Sequence, residues 1–162
     1  MHRRRRTLAV VRVDEIMTQP AVTDATGVSL ARVAELMWRQ QTGSIVIVED
    51  RRVVGIITER DVLRAVAAGK NPASVVVGDV MTTDVVTTSP DTPLRDAARI
   101  MAQHWIRHLP VVENGELAGM ISQRDITGVF AALVHASGTP TIETDSLVRD
   151  QRLARIEMGD LD

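Results

Sequence analysis

The sequence predicts a mixed α/β protein built from two consecutive units that share the element order β-α-β-β-α. Residues 13–65 align without a gap to residues 77–129 at an offset of 64, with 14 identities in 53 positions. One unit of about 60 residues has therefore been duplicated. The chain of 162 residues is 44% hydrophobic and 25% charged, which is typical of a soluble globular domain.

The first half of each unit is a short strand followed by a helix. The helix start is marked by Ser29 in the first copy and by Thr92-Pro93 in the second, which are residue types that favour helix N-termini. Apolar residues then recur with the i, i+3, i+4, i+7 spacing of an amphipathic helix. The predicted strands before these helices are 21–23 and 85–87.

The second half of each unit is a hairpin followed by a second helix. The turn of the second hairpin is Asn114-Gly115, the dipeptide most typical of a two-residue hairpin. The second helices are predicted to begin at Thr58 and Ser122. The predicted hairpin strands are 44–48 with 53–57 and 109–112 with 117–121.

These elements divide the chain into four parts. We predict the first repeat over residues 8–70 and the second over 71–136. A basic arm, 1–7, precedes them, and a tail, 137–162, follows. For the tail, a short helix from Leu147 to Met158 and a loosely ordered chain are both open interpretations.

Composition and motifs exclude several classes of function. The chain has no cysteine and a net charge of −2, so it offers no thiolate chemistry and no overall attraction for nucleic acid. The run Arg3–Arg6 is interpreted as a solvated arm, with contact to nucleic acid or an acidic partner as the alternative. His104 and His108 lack a third ligand, so no metal site is predicted. No nucleophile, phosphate-loop or dinucleotide motif is present, so no catalytic residues are predicted and the chain is expected not to be an enzyme.

The apolar runs are too short for a membrane-spanning helix or a signal peptide. We therefore expect a cytoplasmic protein that does not interact with membranes.

The same motif stands at both predicted strand-to-helix junctions, GIITERDV at 55–62 and GMISQRDI at 119–126. Thr58 with Asp61, and Ser122 with Asp125, have the spacing of a capping box. Arg60 and Arg124 fall in the first helical turn, where a cation opposes the helix dipole by ~0.3–1 kcal/mol. Either a bound anion or an ion pair with a surface carboxylate would offset this unfavourable interaction with the helix dipole.

The two units resemble a tandem pair of CBS domains (cystathionine-β-synthase-type repeats, a Bateman module). The resemblance rests on the acidic-apolar-Met-Thr openings at 15–18 and 79–82, the stretch IRHLPVVENGELAG at 106–119 and the twin junctions. It implies two repeats packed about a pseudo-twofold axis. It also implies two clefts for adenosine-containing ligands such as AMP, ADP, ATP or S-adenosylmethionine.

Roles for individual residues follow from the same resemblance. It implies that Asp61 and Asp125 accept hydrogen bonds from ribose hydroxyls, while Thr58 and Ser122 donate to ribose or phosphate. Arg60 and Arg124 are implied phosphate contacts. Four further residues are implied to line the adenine slots, namely Met17, Val22, Met81 and Val86.

The two clefts are not expected to be equivalent. The second repeat carries Arg107-His108-Leu109-Pro110, whereas the first has Gly43-Ser44-Ile45-Val46 and lacks both the cation and the proline. We therefore predict one dominant nucleotide site, whose phosphate is held by Arg107 or His108, shared across the pseudo-twofold axis.

The resulting functional hypothesis is a regulatory module that binds an adenosine nucleotide, as in energy sensing. The module is expected to form a homodimer. It signals either to an unidentified partner protein or through its own oligomeric state. No cofactor is obligatory. The alternative is a structural dimerisation or scaffold module without a ligand, which the Gly43-Ser44 sequence favours. Nucleic-acid binding through the arginine arm is a third hypothesis.

Overall fold

The computed structural model describes the backbone of residues 11–137 and the side chains of residues 11–132. The basic arm with Arg3–Arg6 and the predicted helix at 147–158 lie outside these residues. The described elements, in chain order, are β1 (Thr23–Asp24), α1 (Leu30–Gln40), β2 (Ser44–Glu49), β3 (Arg52–Thr58), α2 (Glu59–Ala67), α3 (Leu94–Gln103), β4 (His108–Glu113), β5 (Glu116–Ser122) and α4 (Gln123–Ser137). The predicted mixed α/β fold is confirmed.

Each repeat contains an antiparallel hairpin, β2–β3 in the first and β4–β5 in the second. Both hairpins shift register at the same point, between Ile47 and Val48 and between Val111 and Val112. Asp50 and Arg51 have positive φ, as do Asn114 and Gly115, so both connections are two-residue turns with the twist that suits a hairpin. The hairpin predictions are confirmed.

The predicted strand at 85–87 is wrong. β1 pairs in parallel with β2 in the first repeat, but in the second repeat only an isolated bridge joins Thr88 to Val111. The Val46 amide donates to the Val22 carbonyl at 3.1 Å. Pro110 stands at the position equivalent to Val46. Because proline has no N–H group, it cannot make the corresponding bond to Val86.

The segment that leads into each repeat pairs with the other repeat. Thr18 exchanges two backbone hydrogen bonds with Met120, at 2.8 and 3.1 Å, and Thr82 exchanges two with Ile56, both at 2.9 Å. These pairs are counterparts at the offset of 64 residues. The pairs Arg12–Pro93 and Ser29–Val76 are related in the same way. The two repeats are therefore related by a pseudo-twofold arrangement.

The hydrophobic cores follow this exchange. Val11 and Val13 are buried in a cluster with Leu94, Leu109 and Ile121 of the second repeat. Val77 is buried in a cluster that otherwise comes from the first repeat, including Leu30, Ile45 and Ile57. The two cores therefore do not divide the chain at residue 70, where the sequence repeats divide it. The repeat boundary at residue 70 stays a prediction.

A methyl group added at Gly119 tests the exchanged contact. A Cβ atom there would lie 3.0 Å from the Thr18 carbonyl oxygen and 2.8 Å from the Met17 sulfur. Gly55 is the matched control, because the three atoms nearest to a Cβ atom there all belong to the flexible side chain of Met81. We expect Gly119→Ala to lower the free energy of unfolding by ~1–3 kcal/mol, the usual cost of overpacking, and Gly55→Ala to lower it less. Urea unfolding of both variants measures this difference, and equal costs would contradict the account.

Candidate functional site

One cleft of about 200 Å³ opens between the two repeats. The first repeat contributes the end of β3 and the start of α2, with Thr58, Arg60 and Asp61. The second repeat contributes residues 82 and 84–86 and residues 105–108 and 110. Seven residues predicted from the sequence meet in this cleft, namely Thr58, Arg60, Asp61, Val86, Arg107, His108 and Pro110.

Asp61 caps α2 with one of its carboxylate oxygens and also lines the cleft. Its Oδ2 accepts from the Thr58 amide at 2.8 Å and from the Thr58 hydroxyl at 2.6 Å, so it closes the N-terminus of α2 in the capping-box manner. Its Oδ1 lies 3.3 Å from an Arg64 nitrogen. Asp61 is 7% exposed and lines the cleft. Capping and ligand binding are therefore compatible for this carboxylate.

The cleft is rich in arginine. Arg60 and Arg64 extend from α2, and Arg107 approaches from the segment before β4. Asp61 and Asp84 are the acidic residues among the described lining residues, so three guanidinium groups face two carboxylates. A guanidinium group is planar and forms paired hydrogen bonds with phosphate oxygens. The charge of the lining therefore suits an anionic ligand.

His108 is the partly buried imidazole of the cleft. Burial lowers its pKa below the ordinary value, the neighbouring Arg107 lowers the pKa further, and the Glu59 carboxylate opposes this effect. The imidazole packs against Gly43: a Cβ atom on Gly43 would lie 3.1 Å from His108 Cε1 and 3.2 Å from Nε2. The missing side chain at residue 43 therefore provides the space that His108 occupies.

The apolar wall of the cleft includes a residue that the sequence analysis missed. Trp105 lines the cleft beside Val86 and Pro110. Trp105 has φ of 54° and follows the end of α3, as Gln41 with φ of 52° follows α1. This left-handed residue turns the chain from the helix towards the strand, and no pattern of hydrophobic periodicity could have placed its side chain.

The remaining predicted residues lie elsewhere. Ser122 and Asp125 repeat the cap, with Asp125 Oδ2 accepting from the Ser122 amide at 2.7 Å and from its hydroxyl at 2.6 Å. At the offset of 64 residues, however, Gly128 replaces Arg64 and Gly43 replaces Arg107. The Asp125 junction therefore has fewer cations than the Asp61 junction, although Arg124 is retained.

Met17 and Met81 take part in the exchanged packing, and each lies against a glycine of the other repeat. Val22 offers its carbonyl to β2. Ser44 stands at the position equivalent to His108, and its hydroxyl is buried without a hydrogen-bond partner among the described residues.

Two other features are absent from residues 11–132, a metal-binding cluster and a membrane-spanning helix. No cluster of three or more histidine or acidic side chains is arranged to hold a metal ion there. In that same part of the chain, no helix has both the length and the apolar character needed to cross a bilayer.

Comparison with known proteins identifies the family. The family model of the CBS domain matches twice, at residues 13–68 and 77–132. The chain belongs to the CBS domain family. Among curated CBS relatives, the uncharacterised protein MK0525 of Methanopyrus kandleri is 36% identical over 127 residues, which are 76% of this chain and 65% of that protein. The chain thus spans slightly less than two thirds of that relative.

Two solved CBS structures that share the fold contain adenosyl compounds. The CBS domain pair of protein MJ0100, in complex with 5′-methylthioadenosine and S-adenosyl-L-methionine, is 27% identical with a TM-score of 0.69 and aligns over 75% of this chain and 97% of its own. The CBS domain protein PAE2072 of Pyrobaculum aerophilum, complexed with AMP, is 29% identical with a TM-score of 0.69 over 77% of this chain and 99% of its own.

The lowered pKa of His108 predicts a pH-dependent stability. An unfolded histidine titrates near ~6.5. As the pH falls through that value, His108 is protonated in the unfolded chain but stays neutral in the folded protein. The free energy of unfolding therefore decreases as the pH falls. We expect His108→Gln to lose less unfolding free energy between ~pH 7.5 and ~pH 5 than the wild type. Urea unfolding at both pH values measures this, with His104→Gln as the control for removing an exposed histidine. An unchanged pH dependence in His108→Gln would contradict the prediction.

Proposed function

We propose that this CBS protein is a regulatory module that binds an adenosine nucleotide in the Asp61 cleft and transmits its occupancy to a partner protein or to a homodimer in the cytoplasm. The observation that carries the proposal is the meeting, across the two repeats, of a buried carboxylate with three arginines and an apolar wall. These features match the ribose, the phosphate and the base of one ligand. The adenosyl compounds bound by PAE2072 and MJ0100 support this ligand class.

Each part of the proposed pose uses a group with the appropriate chemistry. Asp61 Oδ1 accepts from the ribose hydroxyls, while Oδ2 remains in the helix cap. Trp105, Val86 and Pro110 enclose the base, since a flat apolar slot suits a purine. Arg60 and Arg107 hold the phosphate, and a phosphate at this point also relieves the unfavourable position of Arg60 at the start of α2.

Ligand binding can act as a signal only if the ligand prefers one of two states. Because the cleft is built from both repeats, its occupancy bears directly on how they pack. The alternative function, a scaffold without a ligand, is favoured by exposed apolar side chains on α1 and α2, where Trp38 is 77% exposed and Leu63 is 67% exposed. The experiment below separates the two functions.

A thermal-shift panel with AMP, ADP, ATP, S-adenosylmethionine and adenosine tests the proposal. A ligand at 100 times its Kd adds ~2.7 kcal/mol, which raises Tm by roughly 5–10 °C for a chain of this size. Asp61→Ala and Asp125→Ala are matched variants, because both aspartates make the same cap bonds and their loss costs similar stability. We expect Asp61→Ala to abolish the ligand shift and Asp125→Ala to retain it.

The opposite outcomes of the panel are equally informative. No shift with any compound, from protein freed of bound nucleotide, would overturn the nucleotide proposal and favour the scaffold. A shift lost only in Asp125→Ala would move the dominant site to the other junction.

Arg107→Ala tests the phosphate contact separately from the nucleoside contacts. A hydrogen bond to a charged group is worth ~1.5–3 kcal/mol, so we expect the variant to bind AMP roughly ten- to a hundredfold more weakly. Its affinity for adenosine should be unchanged. Isothermal titration calorimetry measures both affinities, and Arg52→Ala, an exposed arginine outside the cleft lining, is the control. Equal losses for AMP and adenosine would show that Arg107 acts on the fold and not on the phosphate.

A further inference from the structure

His108 lies where two structural features meet, the wall of the cleft and the junction between the repeats. It lines the cleft together with Arg107 and Asp61. Its imidazole also packs against Gly43 of the first repeat, with Cε1 at 3.1 Å and Nε2 at 3.2 Å from the point where a Cβ atom would stand. Any ligand that reaches Arg107 therefore lies beside a group able to gain or lose a proton.

The Glu59 carboxylate shares this space. Its Oε2 lies 3.2 Å from the same point on Gly43. The backbone fixes this arrangement, because the Glu59 amide donates to the Gly43 carbonyl at 3.1 Å. The equivalent bond in the second repeat runs from the Gln123 amide to the Arg107 carbonyl at 2.9 Å, where an uncharged glutamine replaces the glutamate. The proximity of an imidazole and a carboxylate is thus specific to one side of the pseudo-twofold arrangement.

The other charges around His108 are of both signs. Arg107 from its own segment and Arg124 from α4 disfavour the imidazolium, while Glu59 from α2 and Asp125 from α4 favour it. In the cleft itself, α2 adds Arg60, Arg64 and Asp61, and the segment before Val85 adds Asp84. Because His108 lies among these charges and only part of its surface is exposed, an added anion beside it favours the imidazolium.

We propose that His108 is a specificity-determining residue that makes the preference of the cleft for a phosphorylated over an unphosphorylated nucleoside depend on pH, by taking up a proton when the phosphate binds. This inference rests on the proposed function. A phosphate dianion beside the imidazole stabilises the imidazolium, so binding and protonation reinforce each other. An unphosphorylated nucleoside adds no charge and leaves His108 neutral. Glu59 is a positioning residue that assists the protonated form.

The sign of the effect follows from linkage. If binding of the nucleotide takes up a proton, its affinity rises as the pH falls towards the pKa that His108 has in the complex. The AMP-to-adenosine affinity ratio should rise by roughly three- to tenfold between ~pH 8.0 and ~pH 6.5, below the limit of tenfold per pH unit for one proton. This window lies above the second phosphate pKa of ~6, so the nucleotide stays mainly dianionic.

Calorimetric titrations of the full chain with AMP and adenosine at these pH values test the inference. His108→Gln should give a ratio that does not change with pH, apart from the small contribution of the phosphate. Glu59→Gln should retain AMP binding and flatten the profile in part. Arg52→Ala, which removes an exposed arginine outside the cleft lining, is the control: it should keep both the AMP affinity and the slope.

A second measurement observes the proton directly. In an NMR titration, the imidazole signal that disappears in His108→Gln should titrate at a higher pH with saturating AMP than without it, and adenosine should not move it. An AMP-to-adenosine ratio with the same pH profile in the wild type and His108→Gln would overturn the inference and leave the proposed function intact. Absence of AMP and adenosine binding at every pH would overturn both.

Discussion

The structure depends on the reciprocal exchange of the segments that lead into the two repeats. Val13 and Val77 are both fully buried, and each fills the core of the opposite repeat. A CBS repeat folded alone would leave an apolar gap at that position and unpaired amides beside it, each of which is costly. The duplication is therefore a requirement of the fold, and the cleft between the repeats is held by the same contacts that complete the cores.

Local chemistry accounts for the parts of the fold that the sequence predicts correctly. The Asn114-Gly115 turn, the Ser29 cap and the Thr58 and Ser122 junctions each depend on residues within about one helical turn of one another. The exchange has no such local signal, because Val11 and Val13 contact residues some 80–110 positions later. The strand predicted at 85–87 does not form, because Pro110 on β4 lacks the N–H group that would pair with it.

The residues of the site also fall into two groups, those that the sequence predicts and those that it does not. Asp61 and Arg107 could be predicted because a repeated motif and its asymmetry mark them, and the structure brings both to one cleft. Trp105 and Arg64 could not, since both lie outside the motifs at 55–62, 106–119 and 119–126. The same is true of the proximity of His108 and Glu59 beside Gly43. It exists because residue 43 has no side chain, and in the sequence this space is marked only by a glycine.

In the proposed pose, Asp61 connects the ligand to α2, because the same carboxylate caps the start of that helix. Arg64 approaches Oδ1 from one turn along α2, so a ribose hydroxyl that takes this oxygen competes with an arginine that is itself 70% exposed. Because the Arg64 side chain is exposed, water can replace Asp61 as its partner, so the ion pair can be exchanged for a ligand contact at small cost. The bonds from Thr58 to Oδ2 are unaffected by that exchange. In the proposed pose the helix start therefore stays fixed while Arg64 is released. The second repeat has Gly128 at that position and no corresponding group to release.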